Sequence, residues 1–250
     1  MTETNSKVVR LIFAIAMLAL PVASWAQIGS HRNVFSIGAN AGAVLSTVGF
    51  DPEVSQKQHV GFTGGFSWRY TSEKYFSTIC SIAGEVNIAS LGWKEDIVDV
   101  NDRPVINSNG AQEEYSRTLT YVQIPVFAHL AWGKERQGFN FFVQAGPQIG
   151  IMLSDKTTKN YDEPNLDAGT GRSNTIVEQE SMDIQHKFDY GIAAGLGLEY
   201  SNKHLGRFLL EGRYYYGLGN IFGSSKRDYF SKSNFGNIVI KATWLVDLTK

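Results

Sequence analysis

Five histidines, one cysteine and a set of charged residues on otherwise apolar segments are the groups here whose types could do chemistry. His31, His59, His129, His186 and His204 nowhere adopt metal-ligand spacing on one helix or strand face. His129 is expected to be a hydrogen-bonded interior residue, because no nucleophile is paired with it in sequence. Cys80 has no resolving partner and is expected to pack. A single cysteine also excludes an intrachain disulfide framework and any multi-cysteine metal site. Gly169-Thr-Gly-Arg-Ser173 lies in a polar stretch rather than between a strand and a helix, so it reads as loop and not as a phosphate cradle. No catalytic residue, cofactor or metal is expected, and the chain reads as non-enzymatic.

Charge is more informative. Glu85, Arg117, Asp189, Glu199, Glu211, Arg213, Lys241 and Asp247 fall on the polar faces of alternating segments. Both signs occur, and a charge inside a narrow fold needs a partner. Glu211 and Arg213 on the seventh segment are expected to adjoin Lys241 and Asp247 on the eighth. Such a network is either a salt-bridged plug or a selective conduit. Eight strands leave an interior just wide enough for side chains, which favours the plug.

Those charges need strands to position them. From Asn33 onward the dominant hydropathy period is two. Phe188, Tyr190, Ile192, Ala194, Leu196, Leu198 and Tyr200 share one face; Asp189, Gly191, Ala193, Gly195, Gly197 and Glu199 share the other. Ile238, Ile240, Ala242, Trp244, Val246 and Leu248 repeat the pattern, and a helix would scatter such sets around its circumference. Eight strands are expected near 33–46, 58–70, 76–92, 115–132, 138–154, 186–200, 206–222 and 235–249. Pro125 and Pro147 cannot donate to a ladder, so bulges are expected there, with a slip in parity. Connections near 71–75, 133–137 and 201–205 are short, whereas 47–57, 93–114, 155–185 and 223–234 are long and polar. An even number of strands with short turns on one side and long loops on the other is the layout of an eight-stranded antiparallel up-and-down transmembrane β-barrel, its long loops outward.

Composition agrees. The 250 residues are 43% hydrophobic and 19% charged, which excludes a disordered chain. Lys plus Arg number 23 against 24 acidic residues, so no basic excess points to nucleic acid. Lys7 and Arg10 precede the apolar run Leu11–Ala23, and Ser24-Trp25-Ala26 then offers small residues at the −3 and −1 positions. Residues 1–26 are therefore expected to be a cleaved signal peptide, and 27–250 the barrel domain. A soluble lipocalin-like barrel has the same periodicity with its apolar face inward. Three features favour lipid outside: the polar face is rich in Gly and Ala, its charges are few, and aromatics bracket the short turns. Those aromatics are Trp68, Tyr70, Tyr75 and Phe76, then Trp132 and Phe139, then Tyr200 and Phe208.

Four segments carry a resemblance: Tyr121-Val-Gln-Ile-Pro125, Ala145-Gly-Pro-Gln-Ile-Gly150, Phe188–Tyr200 and Leu210–Phe222. In these the chain resembles the PorT type of outer-membrane β-barrel protein of Bacteroidetes-like bacteria. The resemblance implies one eight-stranded barrel, outer-membrane lipid around it, and a role assisting protein secretion or surface assembly through other envelope proteins. One departure is the C-terminus, where outer-membrane barrels commonly end in an aromatic residue. Here the last aromatic is Trp244, and the chain ends Val246-Asp-Leu-Thr-Lys250. A small lipid-modifying or peptide-cleaving barrel enzyme and an exported soluble ligand-binding barrel are the rival readings.

Overall fold

The computed structural model describes residues 30–135, 137–167, 169–223 and 228–249. The expected signal segment, 1–26, lies outside them. Among the described residues nine strands form: β1 (Ser30–Asp51), β2 (Gln56–Lys57), β3 (His59–Tyr75), β4 (Thr78–Glu95), β5 (Tyr115–Gly133), β6 (Gly138–Lys159), β7 (Phe188–Asn202), β8 (Gly206–Gly217) and β9 (Lys232–Asp247). One short helix, α1 (Glu178–Ser181), sits in the loop between β6 and β7.

All pairings are antiparallel, and the eight long strands run β4-β3-β1-β9-β8-β7-β6-β5 with β5 pairing back to β4. The sheet therefore closes on itself, and no long strand keeps a free edge. β2 adds two residues to the tip of β4. The short connections β3–β4, β5–β6 and β7–β8 lie at one end; the described parts of the longer connections β1–β3, β4–β5, β6–β7 and β8–β9 lie at the other.

The period-two pattern fixes which side chain faces which way. Large apolar residues point outward and are exposed on every long strand but β1, among them Phe66, Val86, Val126, Phe141, Leu196, Leu210 and Ile240. Inward positions carry the charged and amide side chains among glycine and alanine, and also buried apolar and aromatic residues such as Leu91, Tyr121, Phe127 and Phe142. The aromatics expected to flank the short turns do so, in outward stacks: Trp132 on Phe141, Phe139 on Tyr200, and Phe208 on Trp244.

Several boundaries differ from expectation. β6 runs on to Lys159, where a loop was expected from 155, because Tyr115–Thr120 of β5 supplies a ladder for that stretch. β8 stops at Gly217, short of 222, since Ile221 and Phe222 turn inward to pack beneath the loops. The prolines do not shift the register. Pro125 lies opposite Gln148, pairing resumes at Ala128 with Ala145, and parity is kept. The irregularities fall instead between His31 and Val34, Thr71 and Glu73, and Thr120 and Tyr121.

Candidate functional site

The lumen is filled in tiers. In the middle tier, Arg213 spans the interior from β8 to β4. Its Nη2 donates to Glu85 Oε1 at 2.9 Å and its Nη1 to Glu85 Oε2 at 3.1 Å. Its Nε donates to Glu211 Oε1 at 2.7 Å, and its guanidinium lies 4.4 Å from the centre of the Phe127 ring. Lys241 donates to Glu85 and sits 3.7 Å from Glu211. Two acids thus meet two bases, all four buried, so the tier is electrically balanced. Gln144 Nε2 donates to Glu211 Oε1 at 2.7 Å and Asn87 Nδ2 to Glu85 Oε2 at 2.8 Å, so each of these oxygens accepts a second bond beside that from Arg213.

A second tier lies nearer the short turns. Arg69 Nη1 donates to Glu199 Oε2 at 2.6 Å, and Arg207 bridges Glu199 at 3.0 Å and Asp247 at 3.1 Å. Ser36 Oγ also donates to Asp247, at 2.6 Å. In the ring, β4 and β8 are diametrically opposite, as are β3 and β7. Each of the pairs Glu85–Arg213 and Arg69–Glu199 therefore crosses the whole lumen. His129 links the tiers: Arg69 Nη1 lies 3.3 Å from its Nε2, its Nδ1 lies 3.0 Å from Gln144 Oε1, and its ring stacks on Phe142. The two other charges stand apart. Tyr215 OH donates to Asp189 Oδ2 at 2.6 Å, and Arg117 Nε donates to Asp155 Oδ1 at 2.9 Å near the loops.

The eight charges therefore form four groups rather than one network. Glu211 and Arg213 do adjoin Lys241, but Asp247 lies at the short-turn rim and is held by Arg207. Arg69, Arg207 and Asp155 complete the groups and were not singled out. Parity held the signal for Arg69, which shares a strand face with Thr63 and Ser67. Asp155 fell in a stretch read as loop.

Small residues make this filling possible. A Cβ at Gly195 would lie 2.6 Å from Glu211 Oε1, and one at Gly197 would lie 2.7 Å from Phe142 Cζ. Side chains from β8 and β6 thus occupy the space that β7 leaves. Between the two tiers a cavity of about 20 Å³ remains, bordered by Arg69, Glu85, His129 and Glu211. That is room for about one water molecule.

Above the tiers the interior turns apolar. Phe50, Trp93, Phe222 and Phe230 are buried and interlock, with ring centroids 5.0 Å apart for Phe50–Phe230 and 5.4 Å for Phe50–Trp93. Over this plug the loops are tied by Arg172. It donates to Glu113 at 2.9 Å and Glu180 at 2.5 Å, lies 3.5 Å from Glu95, and faces the Tyr161 ring at 4.8 Å. Glu95 stands seven residues beyond Ile88, the last outward apolar residue of β4. Burial, reinforced by the Glu180 carboxylate, pushes its carboxyl up to about 7, against Gln179 Nε2 and Arg172. Among the described residues, no group of three or more His, Cys, Asp or Glu side chains is placed to hold a metal ion.

The closed ring, its apolar exterior and its polar interior are the features a barrel in lipid requires. A family model described as the outer membrane protein beta-barrel domain matches residues 25–223. The chain belongs to this family. This outer-membrane barrel resides in the bacterial outer membrane, and its exposed apolar belt faces lipid. No curated protein matches the sequence. Similar solved structures include Ail, the attachment invasion locus protein of Yersinia pestis, in complex with the heparin analogue sucrose octasulfate. It is 13% identical, with 86% of this chain and 100% of that one covered and a TM-score of 0.37. Neisserial surface protein A is 12% identical over 84% and 96% of the two chains, with a TM-score of 0.38. The outer membrane protein OprG of Pseudomonas aeruginosa is 8% identical over 87% and 98%, with a TM-score of 0.39.

Proposed function

We propose that this outer-membrane barrel is a sealed, non-enzymatic scaffold that presents its long-loop end outside the cell and assists secretion or surface assembly of other envelope proteins. The observation that carries the sealed part is the pair of ion bridges that cross the lumen, closed over by the aromatic plug. The cavity between the tiers holds about one water molecule, too little for a solute to pass there. His129 is engaged by Arg69, Gln144 and Phe142, which suits a packing role better than general-base work. The secretion role rests on the PorT-type resemblance. The proposal includes removal of residues 1–26 on export, which an intact mass of the mature protein beginning at Gln27 would establish.

Purified protein in a planar bilayer should give no steady conductance. Large, reproducible channel steps would overturn the sealed reading. A deletion strain should accumulate exported proteins in the periplasm. A normal secreted proteome with altered lipid composition would favour the lipid-modifying enzyme instead. Orientation is tested by a tag inserted near Gly169 on intact cells; labelling at Lys134 or Asn202 instead would invert it.

A further inference from the structure

Beneath the loop cap, every acid on the polar face of the strands but one is matched by a basic residue. Glu85 and Glu211 meet Arg213 and Lys241. Glu199 and Asp247 meet Arg69 and Arg207, and Asp155 meets Arg117. Asp189 of β7 has no basic partner among the described residues. It is 3% exposed, and its Oδ1 accepts no hydrogen bond. Its Oδ2 accepts from Tyr215 OH at 2.6 Å, a length typical of a hydroxyl that donates to an ionised carboxylate. An isolated carboxylate out of water is costly unless a positive charge stands beside it.

Glycines keep the space in front of Oδ1 clear of side chains. A Cβ at Gly217 of β8 would stand 3.4 Å from Oδ1, and one at Gly219 would stand 3.6 Å from it. The carbonyl oxygen of Phe235, on β9, lies 3.2 Å from the same Gly217 position. A carboxylate oxygen and a backbone carbonyl thus border one place. Tyr121 reaches this part of the lumen from β5: its Cδ1 and the Asp189 Cβ lie 3.2 and 3.7 Å from where a Gly150 Cβ would be. Its OH is buried without a hydrogen-bond partner, and so is Oδ1 of Asn237, the register partner of Tyr215. One full negative charge among neutral oxygens suits a small cation of a single charge, since hard cations take oxygen ligands. A divalent ion would leave a net positive charge buried there, which is as costly as the bare carboxylate.

We propose that this site binds a monovalent alkali-metal cation, sodium or potassium, between Asp189 Oδ1 and Phe235 O, with Tyr121 OH and Asn237 Oδ1 as further oxygen ligands. The ion balances the last uncompensated charge on the polar face of the strands and ties β7 to β9 across the end of β8.

The test is urea unfolding of the full mature protein in lipid vesicles, with sodium chloride or potassium chloride titrated against choline chloride at constant ionic strength. Choline carries the same charge but is too large for the site. When sodium or potassium reaches about ten times its dissociation constant, the unfolding equilibrium constant should be about tenfold lower than in choline alone. Asp189→Asn keeps the side-chain shape and removes the charge, so it should unfold alike in all three salts. Gly217→Ala keeps Asp189 and places a methyl group at the site, so it should shrink the difference between salts. An unchanged shift between heated and unheated gel bands would show that each variant folds. Equal wild-type stability in all three salts would overturn the proposal, and is the result expected if Asp189 is simply protonated. A difference between salts that persists in Asp189→Asn would also overturn it, because the ion would then bind elsewhere. Should Asp189→Asn fail to fold, Gly217→Ala decides: a difference as large as in wild type would overturn the site.

Discussion

Arg213 shows what a single residue does in this lumen. It serves two carboxylates at once, and Lys241 balances the second charge. Removal of Arg213 alone would leave Glu85 and Glu211 buried with one cation between them. Arg213→Met is expected to destabilise the barrel by about 3–5 kcal/mol. Adding Glu85→Gln restores charge balance and should recover a large part of the loss. Urea unfolding in lipid vesicles, followed by tryptophan fluorescence, measures both; a single variant as stable as wild type would refute the argument. Period-two parity already assigned Glu85, Glu199, Glu211, Arg213 and Lys241 to one face. It could not say who partners whom. Partnership across the lumen depends on ring order and on the stagger of opposite strands, and no local pattern encodes either. Asp247 illustrates this: it shares a strand and a face with Lys241, yet six residues of separation place it in a different tier.

At the scale of elements, the eight long strands were legible because each keeps one apolar face in lipid, which enforces alternation over many residues. Strand ends were less so. β6 continues through Ser154–Lys159 in a polar stretch, where β5 provides hydrogen bonds and lipid provides no hydropathy signal. The loop cap was not legible at all, since Arg172 meets Glu95, Glu113 and Glu180 only after two long loops fold over each other. That cap should respond to pH. The Glu95 carboxyl lies at about 7 in the folded cap and has an ordinary value of 4.5. The closed cap favours the protonated form, so its stabilisation is complete below about 4.5 and is lost as pH rises through about 7. The effect is at most on the order of 3 kcal/mol. Amide protection factors in residues 171–182, with the intrinsic base-catalysed rate divided out, should fall between pH 5 and 8, and Glu95→Gln should flatten that fall. Wild-type protection factors that do not change with pH would remove Glu95 from this role.

For the whole molecule, the ion-pair tiers and the aromatic plug close the same passage in series. Substituting Arg69, Glu85, Glu199 and Arg213 together by serine should therefore leave conductance low, provided Phe50, Trp93, Phe222 and Phe230 remain. Joining those serines to Phe50→Ala and Trp93→Ala should produce measurable steps. Conductance from the serine variant alone would show that the plug does not seal.

The crossing bridges also bear on how the barrel is made. Arg69 and Glu199 are 130 residues apart in the chain, and Glu85 and Arg213 are 128 apart. Neighbouring strands can zip from their turns, but opposite strands come within reach only once the sheet has curled and β1 has found β9. The bridges therefore belong to the final step of assembly and contribute little to the barrier before it. Weakening one, as in Glu85→Gln, should leave the insertion rate near that of wild type and accelerate unfolding, the signature of a contact absent from the transition state. The lumenal charges thus act as a latch: they do little to bring the strands together, and they set how long the closed ring lasts.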